Sequence, residues 1–70
     1  MKLSSRNVLK GTVKHMAHGQ VNVEVTLELP GGQEIVSVVT RASAERMELA
    51  EGREVFAIIK ASNVILGTDE

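Results

Sequence analysis

The chain has 70 residues, of which 43% are hydrophobic and 24% are charged, no cysteine, and a formal net charge of −1. This length predicts a single domain, residues 1–70, too small to be very stable alone unless partner subunits help. The balanced charge argues against broad binding to nucleic acid or anionic membranes, and no segment fits a transmembrane helix or a signal peptide. We therefore expect a cytoplasmic protein some of whose apolar surface is covered by other copies of the chain. The alternative is that these apolar residues form a well-packed aliphatic core within one chain.

The N-terminal part is predicted to form a long strand. Residues 7–17 carry apolar side chains at positions that suit a strand. Gly11 interrupts them, and a glycine within a strand marks either a β-bulge or a place where another segment comes close. His18-Gly19-Gln20 then has the composition of a tight turn.

The next two segments are predicted to form an antiparallel hairpin. Residues 21–29 alternate between apolar side chains and Asn, Glu or Thr, which is the clearest amphipathic strand pattern in the chain. Residues 33–40 form a third strand rich in Val and Ile. Between the two strands, Pro30-Gly31-Gly32 is a strong turn signal.

The C-terminal part is predicted to contain one helix and one or two further strands. Residues 41–49 are helix-tolerant, with Thr40 as the N-cap. Residues 53–61 form a fourth strand, residues 63–66 continue it after a kink or form a fifth, and the polar residues 67–70 are expected to be frayed. The pattern predicts an all-β fold with one short helix, an OB-like small antiparallel Greek-key barrel.

Two clusters hold most of the polar chemistry of the chain, Ser4-Ser5-Arg6-Asn7 and Lys60-Ala61-Ser62. Each combines hydroxyls, backbone N–H groups and a fixed positive charge, which together can hold a small tetrahedral oxyanion without a coordinated metal. The alternative is that the first cluster only caps a strand and that Lys60 is a solvated cation. More than fifty residues separate the clusters, so only the fold or an oligomer can bring them together.

Directly coordinated metal, catalysis and cofactors are not expected. His15 and His18, three residues apart at a strand end and a turn, do not reliably point both imidazoles the same way. Nothing marks any serine as activated by a positioned base, and the carboxylates fall mostly on polar faces. Phe56 is the only aromatic residue, so the stacking platforms of OB-type nucleic-acid sites are missing.

Several segments resemble the molbindins, small molybdate-binding proteins made of a single Mop domain. Residues 4–13 resemble the family opening S-A-R-N-x-L-x-G-x-V. Further segments are similar in the same order: residues 19–25 to G-x-V-x-x-x-V, residues 38–43 to I-T-x-x-S, residues 51–55 to E-G-x-x-V, and residues 57–64 to A-x-[IV]-K-[AS]-[ST]-x-V. The matches cover nearly the whole chain, and their order and spacing together are specific.

The resemblance implies a Mop fold of the OB type, assembled as a homohexamer (a trimer of dimers) that binds molybdate or tungstate between subunits. Strands would be exchanged or abutted across the dimer interface. Carried over residue by residue, the main oxyanion site would use Ser4, Ser5, Arg6, Thr40 and the Lys60-Ala61 pair. Ser5 stands where alanine is common in the family, and Ala61 where some relatives have serine.

The resemblance also implies a second class of site near the three-fold axis, for which Gly19, Gln20 and Asn22 are candidates. Mop domains occur in transporter ATPases and transcription regulators too, but this chain carries neither an ATPase nor a DNA-binding domain. We therefore predict a cytoplasmic, non-enzymatic homo-oligomer that stores molybdate and does not bind nucleic acid or membranes. The alternative is an OB-type module that binds nucleic acid or another protein.

Overall fold

A computed structural model describes Ser4 and residues 6–69 of the chain. The elements are β1 Asn7–His18, β2 Asn22–Glu28, β3 Glu34–Thr40, the helix α1 Arg41–Arg46, β4 Glu54–Ile59, and a 3₁₀ turn at Ala61–Asn63. The prediction of an all-β fold with one short helix is confirmed. No helix in the described part of the chain is long and apolar enough to cross a membrane.

The four strands form one curled antiparallel sheet, a half-barrel, in the order β3-β2-β1-β4. Three consecutive strands are neighbours and the fourth returns beside the first, which is the Greek-key arrangement. The predicted hairpin is confirmed, because β2 and β3 pair from Asn22 opposite Thr40 to Glu28 opposite Glu34. Gly32 in the connecting turn has a φ of 90°, a conformation that glycine adopts easily.

Strand β1 is shared between two neighbours. Its first half pairs with β4 and its second half with β2, and Thr12 lies opposite residues of both. The register with β2 shifts between Val13 and His15, so Lys14 is the extra residue of a β-bulge. A bulge increases the local twist of its strand, and this one lies two residues after Thr12, where β1 changes partners.

Gly11 is therefore not the bulge, and that interpretation is wrong. The other interpretation, a close approach of another segment, is confirmed. A Cβ atom on Gly11 would lie 3.2 Å from the backbone oxygen of Glu28 and 3.4 Å from the Cβ of Leu27. Glycine suits this position because the end of β2 lies so close that a side chain would crowd its backbone.

The buried core is small. Its members are Val13, Val23, Val25, Leu27 and Ala44. Three of them stand at alternate positions of β2, as the amphipathic pattern predicted. The Cα radius of gyration is 13.1 Å, compared with about 11 Å expected for a compact domain of this length. A single chain therefore leaves much of its apolar surface uncovered.

Helix α1 ends three residues earlier than predicted because the backbone closes a Schellman motif. The N–H of Glu48 donates to the carbonyl of Glu45, and the N–H of Leu49 donates to that of Ala44, both at 3.0 Å. Glu48 has a φ of 54°, in the left-handed region. Glycine usually marks this position in a sequence, and here a glutamate occupies it.

The prediction that residues 63–66 continue the fourth strand or form a fifth is wrong for a single chain. Strand β4 ends at Ile59, two residues before its expected end, and the N–H of Asn63 donates to the carbonyl of Lys60 at 2.8 Å. This turn breaks the strand direction. Residues 64–66 follow without strand pairing, and residues 67–69 carry no regular structure. Glu70 lies outside the described residues.

Candidate anion-binding site

The ladder between β1 and β4 brings the two polar clusters to one end of the sheet. Asn7 and Ile59 are the last pair of this antiparallel ladder. The next residues outward are Arg6 on one side and Lys60 on the other. Neighbouring Cα atoms along a chain are about 3.8 Å apart, and those of a paired couple about 5.5 Å apart. The Cα atoms of Arg6 and Lys60 are therefore within about 13 Å of each other. The fold thus joins, within one chain, clusters that are far apart in sequence.

Neither cation at this end has a carboxylate partner among the described residues. Within the described part of the chain, the ion pairs involve other basic side chains and not Arg6 or Lys60. Both residues are exposed, as is Ser4. Ser5 lies outside the described residues. The end of the sheet therefore carries two positive charges that no described carboxylate neutralises.

The 3₁₀ turn adds backbone donors to this end. Lys60 is extended, with φ −62° and ψ 131°, and its carbonyl is used by the turn that follows. The N–H groups of Ala61 and Ser62, which open the turn, donate to no described residue. Unused N–H groups are usual at the start of a helical turn and can bind an anion. The missing hydroxyl at Ala61 does not remove this contribution.

Thr40 lies away from this cluster in a single chain. It is opposite Asn22, beside the turn that follows His18. Arg6 adjoins the other end of β1, and the eleven residue steps of that strand span about 36 Å when extended. A site that combines Thr40 with Arg6 and Lys60 therefore needs a second copy of the chain.

Thr40 is confirmed as the helix N-cap. Its Oγ1 accepts the N–H of Ser43 at 3.0 Å, and its hydroxyl donates to Ser43 Oγ at 2.9 Å. The Arg46 guanidinium donates to the same Ser43 Oγ at 3.3 Å. The sequence analysis did not identify Ser43 and Arg46 as neighbours of this candidate residue. Thr40, Ser43 and Arg46 are each three positions apart, and in a helix this spacing brings successive side chains close together on one face. That spacing could have identified them from the sequence.

The candidates for a second site lie beside Thr40. Gly19, Gln20 and Asn22 are exposed in the turn between β1 and β2, and the N–H of Gly19 donates to the carbonyl of Asn22 at 2.8 Å. Since Asn22 is opposite Thr40, the structure groups Thr40 with the second set of candidates. Sequence reasoning had assigned it to the first set.

The described residues contain no group of three or more His, Asp or Glu side chains that could hold a metal ion. His15 Nδ1 is 4.0 Å from a carboxylate oxygen of Glu51, and both side chains are two-thirds exposed. One groove has a mostly apolar lining and a volume of about 570 Å³, and neither polar cluster lines it. It suits the packing of a protein segment better than the binding of a small dianion.

Comparisons with known proteins give a consistent result. Residues 3–66 match the TOBE domain family. The molybdenum transport protein ModE of Azotobacter vinelandii is 48% identical over 69 residues, which are 99% of this chain and 26% of that protein. The chain thus spans about a quarter of the length of that relative.

Two further relatives match over nearly their whole length. Molybdenum-pterin-binding protein 1 of Clostridium pasteurianum is 39% identical over 66 residues, which are 94% of this chain and 97% of that protein. The solved structure of a molybdate-binding protein from Sporomusa ovata superposes with a TM-score of 0.90 at 32% identity. That superposition covers 97% of this chain and 100% of the other.

Proposed function

The chain belongs to the TOBE-domain family, and from that premise we propose that it is a cytoplasmic, non-enzymatic protein that binds and stores molybdate as a homo-oligomer. The relatives named for molybdenum or molybdate support the ligand, because two of them match over nearly their whole length. The main structural support is that Arg6 and Lys60 lie at the same end of the sheet, each one residue beyond the last pair of β1 and β4.

Molybdate is a tetrahedral dianion with four oxygens that accept hydrogen bonds. In the proposed site, the planar guanidinium of Arg6 and the ammonium of Lys60 offset its two charges. The hydroxyl of Ser4 and the N–H of Ala61 donate to its remaining lone pairs, and Ser5 contributes from the same segment. Tungstate has the same charge and shape and fits the same groups.

The site is proposed to be completed by Thr40 of a second copy. Large apolar side chains exposed on a single chain support such self-association, among them Phe56 at 53% and Ile58 at 47%. We propose a homohexamer built as a trimer of dimers. The second class of site is proposed at Gly19, Gln20 and Asn22.

The oxyanion itself is proposed as the ligand, although the name of the Clostridium pasteurianum relative includes a pterin. A pterin ring binds best to aromatic or apolar surfaces, whereas the cluster around Arg6 and Lys60 consists of cations, hydroxyls and N–H groups. Nucleic-acid binding is disfavoured, because Phe56 is the only aromatic residue and the net charge is negative.

Native mass spectrometry of the purified protein, with and without molybdate, tests the proposal. Sulfate, which has the same charge and shape but a smaller size, is the control. We expect a hexamer that gains several molybdate ions and no sulfate. A monomer, or an oligomer that gains no molybdate, would contradict the storage function and favour an interaction module.

A further inference from the structure

The hydroxyls of Thr40 and Ser43 have a basic side chain next to them. The Arg46 guanidinium donates to Ser43 Oγ at 3.3 Å, and the same oxygen accepts the hydroxyl of Thr40 at 2.9 Å. Side chains in a helix lean toward its N-terminus, so Arg46 reaches back over one turn to Ser43. Ser43 Oγ therefore receives hydrogen bonds from two sides, from Arg46 and from Thr40.

The guanidinium of Arg46 is not engaged by a carboxylate. None of the ion pairs in the described part of the chain involves it. Arg53, which lines the same groove, differs in this respect because its guanidinium is 3.7 Å from a carboxylate oxygen of Glu48. No described acidic side chain therefore competes with Ser43 for the N–H groups of Arg46.

The hydroxyl of Thr40 has a single proton to donate, and in this structure Ser43 Oγ accepts it. Thr40 Oγ1 also accepts the N–H of Ser43 at 3.0 Å, which fixes the position of the oxygen. To donate to a molybdate oxygen, the hydroxyl must turn its proton away from Ser43 while its oxygen stays in place. Ser43 Oγ then loses one donor and keeps the other, Arg46.

We propose that Arg46 is a positioning residue of the oxyanion site, which holds Ser43 in place while the Thr40 hydroxyl turns from Ser43 to the bound dianion. The inference rests on the proposed function, in which Thr40 completes the site. Because Ser43 Oγ keeps a hydrogen bond from Arg46, releasing the Thr40 proton leaves it with a donor. A guanidinium suits this role because it always carries its N–H donors. Arg46 acts in this way through Thr40 and without contact with the anion.

Molybdate titration of Arg46→Met by isothermal calorimetry tests this. We expect an affinity about fivefold below that of the wild type, the usual effect of one hydrogen bond. Arg53→Met is the matched control, because it removes the same charge from an exposed arginine that is paired with Glu48. The control should bind like the wild type. Wild-type affinity in Arg46→Met, or an equal loss in both variants, would overturn the inference.

A double variant separates this role from a general structural one. Since Arg46 acts through Thr40, adding Arg46→Met to Thr40→Ala should cause no further loss of affinity, and Arg46→Lys, which keeps a donor, should recover most of the binding. Circular dichroism and native mass should match the wild type. A wild-type protein that binds no molybdate would contradict the proposed function and this inference together. A wild-type protein that binds molybdate, while the losses from Arg46→Met and Thr40→Ala add up, would overturn only this inference.

Discussion

Arg6 and Lys60 are the next residues on their strands beyond the pair Asn7 and Ile59, so the register of β1 with β4 brings two cations to the same end of the sheet. Both residues lie one step beyond the last pair of the ladder, where two like charges repel each other, and no described carboxylate pairs with either side chain. A dianion bound between them, as proposed for this site, would remove the repulsion.

Replacing either cation should weaken molybdate binding more than it changes folding. A hydrogen bond to a charged group contributes about 1.5–3 kcal/mol, so Arg6→Ala or Lys60→Ala should lower the affinity about 10- to 150-fold. Isothermal titration calorimetry measures the change. Lys10→Ala is the control, because Lys10 is also on β1 but is paired with Glu54 at 3.5 Å. Wild-type affinity in both variants would remove these residues from the site.

Thr40 should act on the site of another copy. Arg6→Ala and Thr40→Ala chains each bind weakly when assembled alone. When the two are co-assembled at equal amounts, a site that takes Arg6 from one chain and Thr40 from its partner is intact in about one case in four. Molybdate titration of the mixture should recover that fraction, and Thr40→Ser, which keeps the hydroxyl, should bind normally. No recovery would mean that both residues act within one chain.

Gly11→Ala should destabilise the protein by about 1–3 kcal/mol, the usual cost of overpacking. The new Cβ would lie 3.2 Å from the backbone oxygen of Glu28, which strand pairing prevents from moving away. Urea unfolding at fixed protein concentration measures the change. Gly67→Ala is the matched control, since nothing lies within 4 Å of a Cβ there. Equal stability of both variants would show that β2 does not approach β1 this closely.

Glu48→Gly should stabilise the protein by about 1 kcal/mol. Glu48 has a φ of 54°, and a left-handed conformation costs a residue with a Cβ roughly 1–2 kcal/mol. The lost ion pair with Arg53, 3.7 Å long and exposed, contributes little. Thermal unfolding measures the gain, and Glu45→Gly, inside the helix, should lower stability instead. A loss of stability in Glu48→Gly would contradict the strain argument.

Lys14 should stabilise the sheet in a way that depends on salt and pH. Its ammonium is 2.6 Å from Glu34 and 3.5 Å from Glu28, two carboxylates directly opposite each other on β3 and β2. The hydrogen bond to Glu34, followed by the charges of Glu34 and Glu28, raises the pKa of Lys14 above 10.5. The stabilisation is therefore complete below pH 10.5 and is lost as the pH rises through the higher folded pKa.

Lys14→Met should therefore be less stable than the wild type at neutral pH and low salt. The difference should shrink in high salt and at strongly alkaline pH. Urea unfolding across salt concentrations measures this, and Lys10→Met, which removes a single ion pair, should show a smaller effect. A difference that does not respond to salt would point to packing of the lysine stem instead of charge.

The sequence by itself determined the features that depend on neighbouring residues. Alternation along β2 predicted its buried face, the turn at Pro30-Gly31-Gly32 predicted the hairpin, and Thr40 was predicted as the N-cap. Periodicity and capping act over a few residues, so a local pattern contains the necessary information. The two polar clusters were also recognisable from their residue types.

Only the tertiary structure decided how these parts meet. The bulge lies at Lys14, close to the point where β1 changes partners, and the helix is terminated by Glu48 in a left-handed conformation. The register that joins Arg6 to Lys60, and separates both from Thr40, is set by pairing between strands far apart in sequence. Such pairing depends on which faces of the whole sheet can be buried together, and no local pattern of residues contains that information.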